Sequence, residues 1–206
     1  MNKLTIDELE MLNPEELGEL LLSEVNTDSP DVQFIQDLLY VGCPIDARDK
    51  DSRTSLILAV RSRKSEVGHL LVFRGADVNV MDKYNVTALH WACTNGDLGL
   101  VKLLVQNEAG VYLKQISFNW TGLTYASAAG HFEVVKFLIS KGADVHGGGE
   151  YTKTPLHMAA NNGHLEVVKY LLSNGADIHT RDDDGYRAWD LSSTEIKEVV
   201  PELEPK

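Results

Sequence analysis

Cysteine is scarce: Cys43 and Cys93, fifty residues apart, are the only two in a chain of 206. Two thiols so far apart give neither a disulfide framework nor a ligand cluster for zinc, and a reducing, cytoplasmic compartment is expected. No hydrophobic run approaches the ~20 residues that a bilayer-crossing helix needs, which argues against a membrane-spanning protein. The opening segment, Met1-Asn2-Lys3-Leu4-Thr5-Ile6-Asp7-Glu8, lacks the apolar core of a secretory signal. Positive charge is also in deficit, with 19 Lys and Arg against 31 Asp and Glu and a net charge of −12. That average field repels a phosphate backbone or an anionic membrane surface, so neither nucleic acid nor membrane is an expected partner. What remains, 43% hydrophobic and 24% charged residues, is globular composition, and the length suits one ordinary domain or two small ones.

The chain repeats itself. Gly130-His131 and Gly163-His164 lie 33 residues apart, each followed by a similar word, Phe132-Glu-Val-Val-Lys136-Phe-Leu138 and Leu165-Glu-Val-Val-Lys169-Tyr-Leu171. Gly142-Ala-Asp-Val145 and Gly175-Ala-Asp-Ile178 keep the same offset, as do Gly42-Cys-Pro-Ile45 and Gly75-Ala-Asp-Val78. Thr54, Thr87, Thr121 and Thr154 open the units; the step from Thr87 to Thr121 is 34, which places one inserted residue between Val111 and Thr121. A fixed period of this length marks a repeat architecture.

Each unit reads as two short helices and a turn. Thr154 is an N-cap and Pro155 suits the first helical position. Leu156, Ala159 and Ala160 form a narrow apolar face, and Gly163 ends the helix with a positive φ. The second helix carries Leu165, Val168, Leu171 and Leu172 at helical spacing. Gly175 stops it, and Asp177 to Gly185 form the connection onward. Neither helix reaches the ~12 residues that are marginal for an isolated helix in water, so the units must stack to bury their faces.

These words resemble the ankyrin repeat, with its Thr-Pro-Leu-His, Ala-Ala, Gly-His and Gly-Ala-Asp signature. Thr154-Pro155-Leu156-His157 matches fully and Thr87-Ala88-Leu89-His90 nearly so; Thr54-Ser55-Leu56-Ile57 and Thr121-Gly122-Leu123-Thr124 are supported mainly by register. The resemblance spans roughly residues 17 to 191 and implies an all-α repeat solenoid with helical caps. The expected layout is an N-terminal capping helix (1–16), five units (17–50, 51–83, 84–117, 118–150 and 151–183) and a C-terminal capping repeat and tail (184–206). Departures are visible: Arg63 stands where Gly130 and Gly163 stand, and Glu108 replaces a stop glycine, so that turn is expected either to be distorted or to need a neighbour's support. Thr5-Ile-Asp-Glu8 and Asn13-Pro14-Glu15-Glu16 read as capping boxes. Trp189 falls in the register of Leu156, hence in the core, and Pro201 ends the last helix. Both ends read as caps, so a complete protein is the expectation.

The chemical readings are weak. His90 and His157 occupy the position that braces a neighbouring turn in the family, and His131 and His164 are its Gly-His histidines. Histidines recurring every 33 residues do not converge on one metal ion; His146 and His179 meet the same objection. Asp182-Asp183-Asp184-Gly185 fails as a calcium loop, because Thr180 and Leu191 fall where carboxylates are required. Gly147-Gly148-Gly149 lacks the preceding strand and the following lysine of a phosphate cradle. Cys43 and Cys93 read as small buried hydrophobes. No cofactor, metal or catalytic group is expected.

Function is then expected on the concave face, where the resemblance places residues four, three and one before each unit's threonine and seven and eight after it. Tyr84, Phe118, Trp120, Tyr151 and Tyr186 form a row of aromatics there, and interface hot spots favour Tyr, Trp and Arg. An alternative for Phe118 and Trp120 is packing against the inserted residue. Lys83, Lys153, Asn95 and Asn162 share the face. Arg48, Lys50, Arg53, Arg61, Arg63 and Lys64 gather near the second unit while Asp182 to Asp184 close the other end, a polarity that would orient an extended ligand. The expectation is a monomeric, non-catalytic adaptor, scaffold or inhibitor for a protein or peptide, anchored by Tyr84, Trp120 and Tyr151 with Arg53 and Arg61 selecting charge. The alternatives are a bacterial effector acting on a host protein and an accessory subunit of an enzyme complex. Asn79, within Leu71…Ala76-Asp77-Val78-Asn79, looks like the asparagine that hydroxylases modify in this family.

Overall fold

The computed structural model describes residues 3–148 and 153–200, and within them the regular secondary structure is helical, with turns between the helices and one isolated bridge between Arg48 and Thr54. A short α1 (Ile6–Leu9) precedes six successive helix pairs. These are α2 (Pro14–Val25) with α3 (Val32–Tyr40), α4 (Ser55–Arg61) with α5 (Ser65–Phe73), and α6 (Ala88–Asn95) with α7 (Leu98–Gln106). The series continues with α8 (Gly122–Ala129) and α9 (Phe132–Ser140), α10 (Pro155–Asn161) and α11 (Leu165–Ser173), and α12 (Ala188–Leu191) and α13 (Thr194–Val199). The first helices stack in the order α2, α4, α6, α8, α10, α12, and α5, α7, α9 and α11 form the second row. The expected solenoid is the fold. Helix α2 starts at Pro14, three residues before the boundary expected at 17.

Small residues make the stack close. Ala59, Ala92, Ala126 and Ala159, each five residues after a unit threonine, are completely buried. Around them Leu56, Leu89, Leu123 and Leu156 fill the layer between helix rows. Each such leucine contributes roughly 1.5–3 kcal/mol of burial, and no unit keeps that burial without its neighbours. Trp189, in the register of Leu156, is half-buried against the core, with the Lys197 ammonium 5.3 Å from its ring centre.

Side chains from one unit complete the turns of another. His131 Nε2 reaches the Thr94 carbonyl and His164 Nε2 the Ala128 carbonyl, each at 3.0 Å. A Cβ at Gly96 or Gly130 would lie 2.5 Å from those imidazoles, so glycine in one unit clears space for histidine in the next. Both glycines also hold φ of +74°. Asp97 occupies the histidine place one unit earlier, accepting from the Ser65 hydroxyl at 2.6 Å. No ring then needs room before it, and Arg63 takes the glycine place at φ +59°, a strain of roughly 1–2 kcal/mol for a residue with a Cβ. Lys64 acts in the histidine place on α4–α5, its ammonium donating to the carbonyls of Val25, at 2.9 Å, and Thr27, at the end of α2, where the helix dipole favours a cation. Glu108 holds φ +66°, and its turn has the neighbour's support expected of it. The Asn79 amide donates to the Glu108 carbonyl at 3.0 Å and accepts from the Gly110 N–H at 2.9 Å.

Candidate partner-binding face

Among the described residues, the second, third and sixth turn tips are each built by one buried or half-buried aspartate. Asp49 Oδ1 accepts from the Asp51 and Arg53 N–H groups at 2.8 and 2.9 Å. Asp82 Oδ1 does the same for Tyr84 and Val86, at 2.8 and 2.9 Å, and Asp182 Oδ1 for Asp184 and Tyr186, at 3.1 and 2.8 Å. Short acidic side chains favour such turns because they replace backbone carbonyls at the bend. Asp182 is therefore a turn-forming residue, in keeping with the failed calcium pattern.

The fourth tip differs, and here the inserted residue is found. Asp82 N–H donates to the Val86 carbonyl four residues on, whereas Gln115 N–H donates to Trp120, five residues on, both at 3.0 Å. The left-handed residue shifts with it, from Asn85 to Asn119. Before the tip the register still holds: Ile116 N–H bonds the Tyr84 carbonyl at 3.1 Å as Lys83 N–H bonds Asp51 at 3.0 Å. The extra residue thus lies between Ile116 and Trp120. Gln115, one methylene longer than aspartate, reaches the Phe118 N–H at 2.9 Å and leaves Phe118 at the apex.

In two units a histidine joins the turn region to the first helix beneath it. His90 Nδ1 accepts from the Thr87 N–H at 3.0 Å and Nε2 donates to the Leu113 carbonyl at 3.0 Å, which fixes the neutral tautomer. His157 repeats this with Thr154 and the Tyr186 carbonyl, at 3.3 and 3.1 Å. Burial lowers the pKa of both. Thr124 takes the place in α8 and donates to the Gly147 carbonyl at 3.0 Å. Threonine is shorter than histidine, so the chain must come closer, and a Cβ on Gly147 would meet the Asp144 carbonyl oxygen at 2.8 Å. The glycine run is thereby explained for Gly147; Gly149 lies outside the described residues. In the second unit Ile57 and Val80, both buried, replace the polar link.

The second and third tips satisfy their own charges. Arg53 donates through Nε to Asp49 Oδ2 at 2.9 Å and pairs with Asp51 at 2.7 Å. Lys83 bonds the other Asp51 oxygen at 2.6 Å and lies 5.0 Å from the Tyr84 ring centre. Hydrogen bonding to Lys83 holds the Asp51 carboxyl below its ordinary range, and hydrogen bonding to Asp49 raises Arg53. Arg53 is consequently not the free, charge-selecting cation expected, because two carboxylates of its own turn hold it. Lys64 is likewise withdrawn from the expected basic patch by the end of α2. Arg61 remains exposed, 5.6 Å from the ring centre of Trp91.

Of the other expected residues, Tyr84, Phe118 and Tyr186 are 52%, 58% and 50% exposed. Trp120 is half-buried, with Phe118 at 5.4 Å and Tyr125 edge-on at 5.3 Å between ring centres. Asn95 and Asn162 direct their amides to the preceding unit, onto the Val60 and Ala128 carbonyls at 2.7 and 2.6 Å. Lys153 is half-buried, and Tyr151 lies outside the described residues. A cleft of about 410 Å³ opens between the fourth and sixth tips, with Phe118, Trp120 and Met158 as its apolar floor and Lys153, Asp183 and Asp184 at its charged rim. Sequence reasoning passed over Trp91, Tyr125 and Met158. All three stand four residues after a unit threonine, so their shared register was the signal that could have found them. Among the described residues no group of three or more His, Cys, Asp or Glu is placed to hold a metal ion, and none of the helices there is long and apolar enough to cross a membrane.

A helix-pair stack with projecting tips defines a class of repeat protein, and the family description "Ankyrin repeats (3 copies)" matches residues 21–115 and 99–182. The chain belongs to the ankyrin repeat family. It is 30% identical over 139 residues to neurogenic locus notch homolog protein 1 of Homo sapiens, covering 67% of this chain and 5% of the relative. It is 31% identical over 146 residues to human SH3 and multiple ankyrin repeat domains protein 2, covering 70% and 8%. Over 88 residues it is 36% identical to the probable 26S proteasome regulatory subunit p28 of Saccharomyces cerevisiae, covering 43% and 39%. The matched segment is thus a minor part of each relative. Ankyrin repeats generally serve as non-catalytic protein-binding modules.

Proposed function

We propose that this chain is an adaptor, scaffold or inhibitor that holds a protein or peptide partner across its turn tips and first helices. The carrying observation is the 410 Å³ cleft floored by Phe118, Trp120 and Met158. Phe118 is at the apex of the one lengthened tip and 58% exposed. A tip exposed to water has no folding reason to present phenylalanine, whereas an interface anchor does. Tyr84, Tyr186 and Arg61 extend the face to either side, and Tyr151 is proposed with them on register. The module acts as a monomer in the cytoplasm, without a cofactor.

Affinity capture from a lysate of the source organism tests this, comparing wild type, Phe118→Ala/Trp120→Ala and, as a control on the opposite side, Phe73→Ala. Phe73 is 87% exposed at the end of α5, so its loss leaves the groove intact. Circular dichroism must show all three folded. A protein retained by wild type and Phe73→Ala but lost by the double variant supports the groove. Equal recovery by all three places the binding surface elsewhere.

A further inference from the structure

The aromatics along the groove differ in what covers them. Lys83 lies over Tyr84 and Arg61 over Trp91, so the N-terminal half supplies its own cations to its own rings. In the lengthened repeat Ile116 stands where Lys83 stands, its N–H bonding the Tyr84 carbonyl as that of Lys83 bonds Asp51, and Thr94 stands where Arg61 stands, seven residues after a unit threonine. Among the described residues no cation lies over Phe118 or Trp120. The opposite rim carries Asp183 and Asp184, both exposed and neither in an ion pair among the described residues. Their carboxylates take no part in the turn, which Asp182 builds through its own Oδ1.

We propose that the cleft is a socket for an arginine of the partner, whose guanidinium stacks on Trp120 and Phe118 while Asp183 and Asp184 accept its N–H bonds. This rests on the groove reading above and specifies its ligand. A guanidinium suits the site better than an ammonium. It is planar enough to lie on an indole, weakly hydrated, and forked to reach two carboxylates. Met158 gives its methylene stem an apolar wall. The overall charge of −12 favours the approach of a basic segment. Among the described residues Lys153 is the one cation of the lining, and it opposes the guest, so it tells a cationic from an anionic occupant.

The test is a titration of the ¹⁵N-labelled full chain with acetyl-Gly-Arg-Gly-amide and, separately, acetyl-Gly-Glu-Gly-amide. The readout is the Trp120 indole N–H resonance, assigned with Trp120→Phe. The arginine peptide is expected to shift it saturably and the glutamate peptide to leave it unmoved. Asp183→Asn/Asp184→Asn should weaken the arginine peptide about tenfold, and Lys153→Met should tighten it by roughly twofold to fivefold. Thermal melts confirm that the variants fold. Saturable binding of the glutamate peptide that Lys153→Met abolishes would overturn the proposal in favour of an acidic guest. An arginine peptide that leaves Trp120 unshifted, or that binds the double Asn variant equally well, also overturns it. A lysate partner that needs Phe118 and Trp120 but not Asp183 and Asp184 would leave the groove reading standing and remove the socket alone.

Discussion

At the second and third tips Arg53 and Lys83 direct their charge onto Asp49 and Asp51, and Tyr84 and Trp91 lie under cations of the same chain. At the fourth and sixth tips, by contrast, Phe118 and Trp120 are paired, among the described residues, with aromatic rings, and Asp183 and Asp184 are exposed. Exposed ion pairs contribute little to stability, so the difference is one of availability to a partner rather than of firmness. One scaffold therefore presents a closed and an open region side by side. Local polar content decides which is which, together with a single inserted residue.

The most drastic way to break this contrast is to give the fourth tip the geometry of the third. Deleting Phe118 together with Gln115→Asp should restore the four-residue closure, leave the melting temperature nearly unchanged and remove partner capture altogether. Normal capture by that variant would show that the longer tip is not what opens the groove. Next in size is the contrast between His90 and Thr124 beneath the tips. His90→Ala leaves the buried Thr87 N–H and the Leu113 carbonyl without their partner and should cost about 2–3 kcal/mol, whereas Thr124→Val, which loses the bond to the Gly147 carbonyl and a longer one, 3.4 Å, from the Thr121 N–H, should cost about 1–2 kcal/mol. Urea midpoints measure both, and equal costs would mean that the two braces are equivalent.

Acid acts on the same histidines. Burial holds His90 and His157 below the ordinary histidine value, so the folded chain binds fewer protons than the unfolded one just below pH 6.5. Their stability contribution is complete above that pH and is lost as the pH falls through the lowered folded-state values. The urea midpoint should drop between pH 7.5 and 5.5, and less steeply in His90→Gln/His157→Gln. An unchanged slope would assign the acid sensitivity to other groups. The smallest effect sharpens the picture at Glu108. Glycine there relieves the φ of +66° and should add about 1 kcal/mol. Asn79→Ala should then cost less in that background than alone, as a double-mutant cycle would show.

The repeat was legible because it is written in local words: threonine caps, Gly-His, Gly-Ala-Asp and the 33-residue step all sit within one unit. The position of the insertion was legible only to within ten residues, since a length change does not say which hydrogen bond lengthens. The site was half legible. Register indicated Tyr84, Phe118 and Trp120, but whether a cation on the same face is free depends on its partners across units. Arg53 reads like Arg61 in sequence, and only the fold shows one held by carboxylates and the other lying on an indole. Asn95 and Asn162 look like groove amides until their contacts with Val60 and Ala128 appear.

The pairing of glycine in one unit with histidine in the next gives the units an order. A copy that ends its first helix in Arg63 fits before one carrying Asp97, and a copy ending in Gly96 or Gly130 fits before one carrying His131 or His164. Moving the second unit in front of the fifth would drive the arginine backbone and its Cβ into an imidazole. The copies are alike in shape but keyed at their seams, so this array tolerates gain or loss of a unit only where the key on each side still turns.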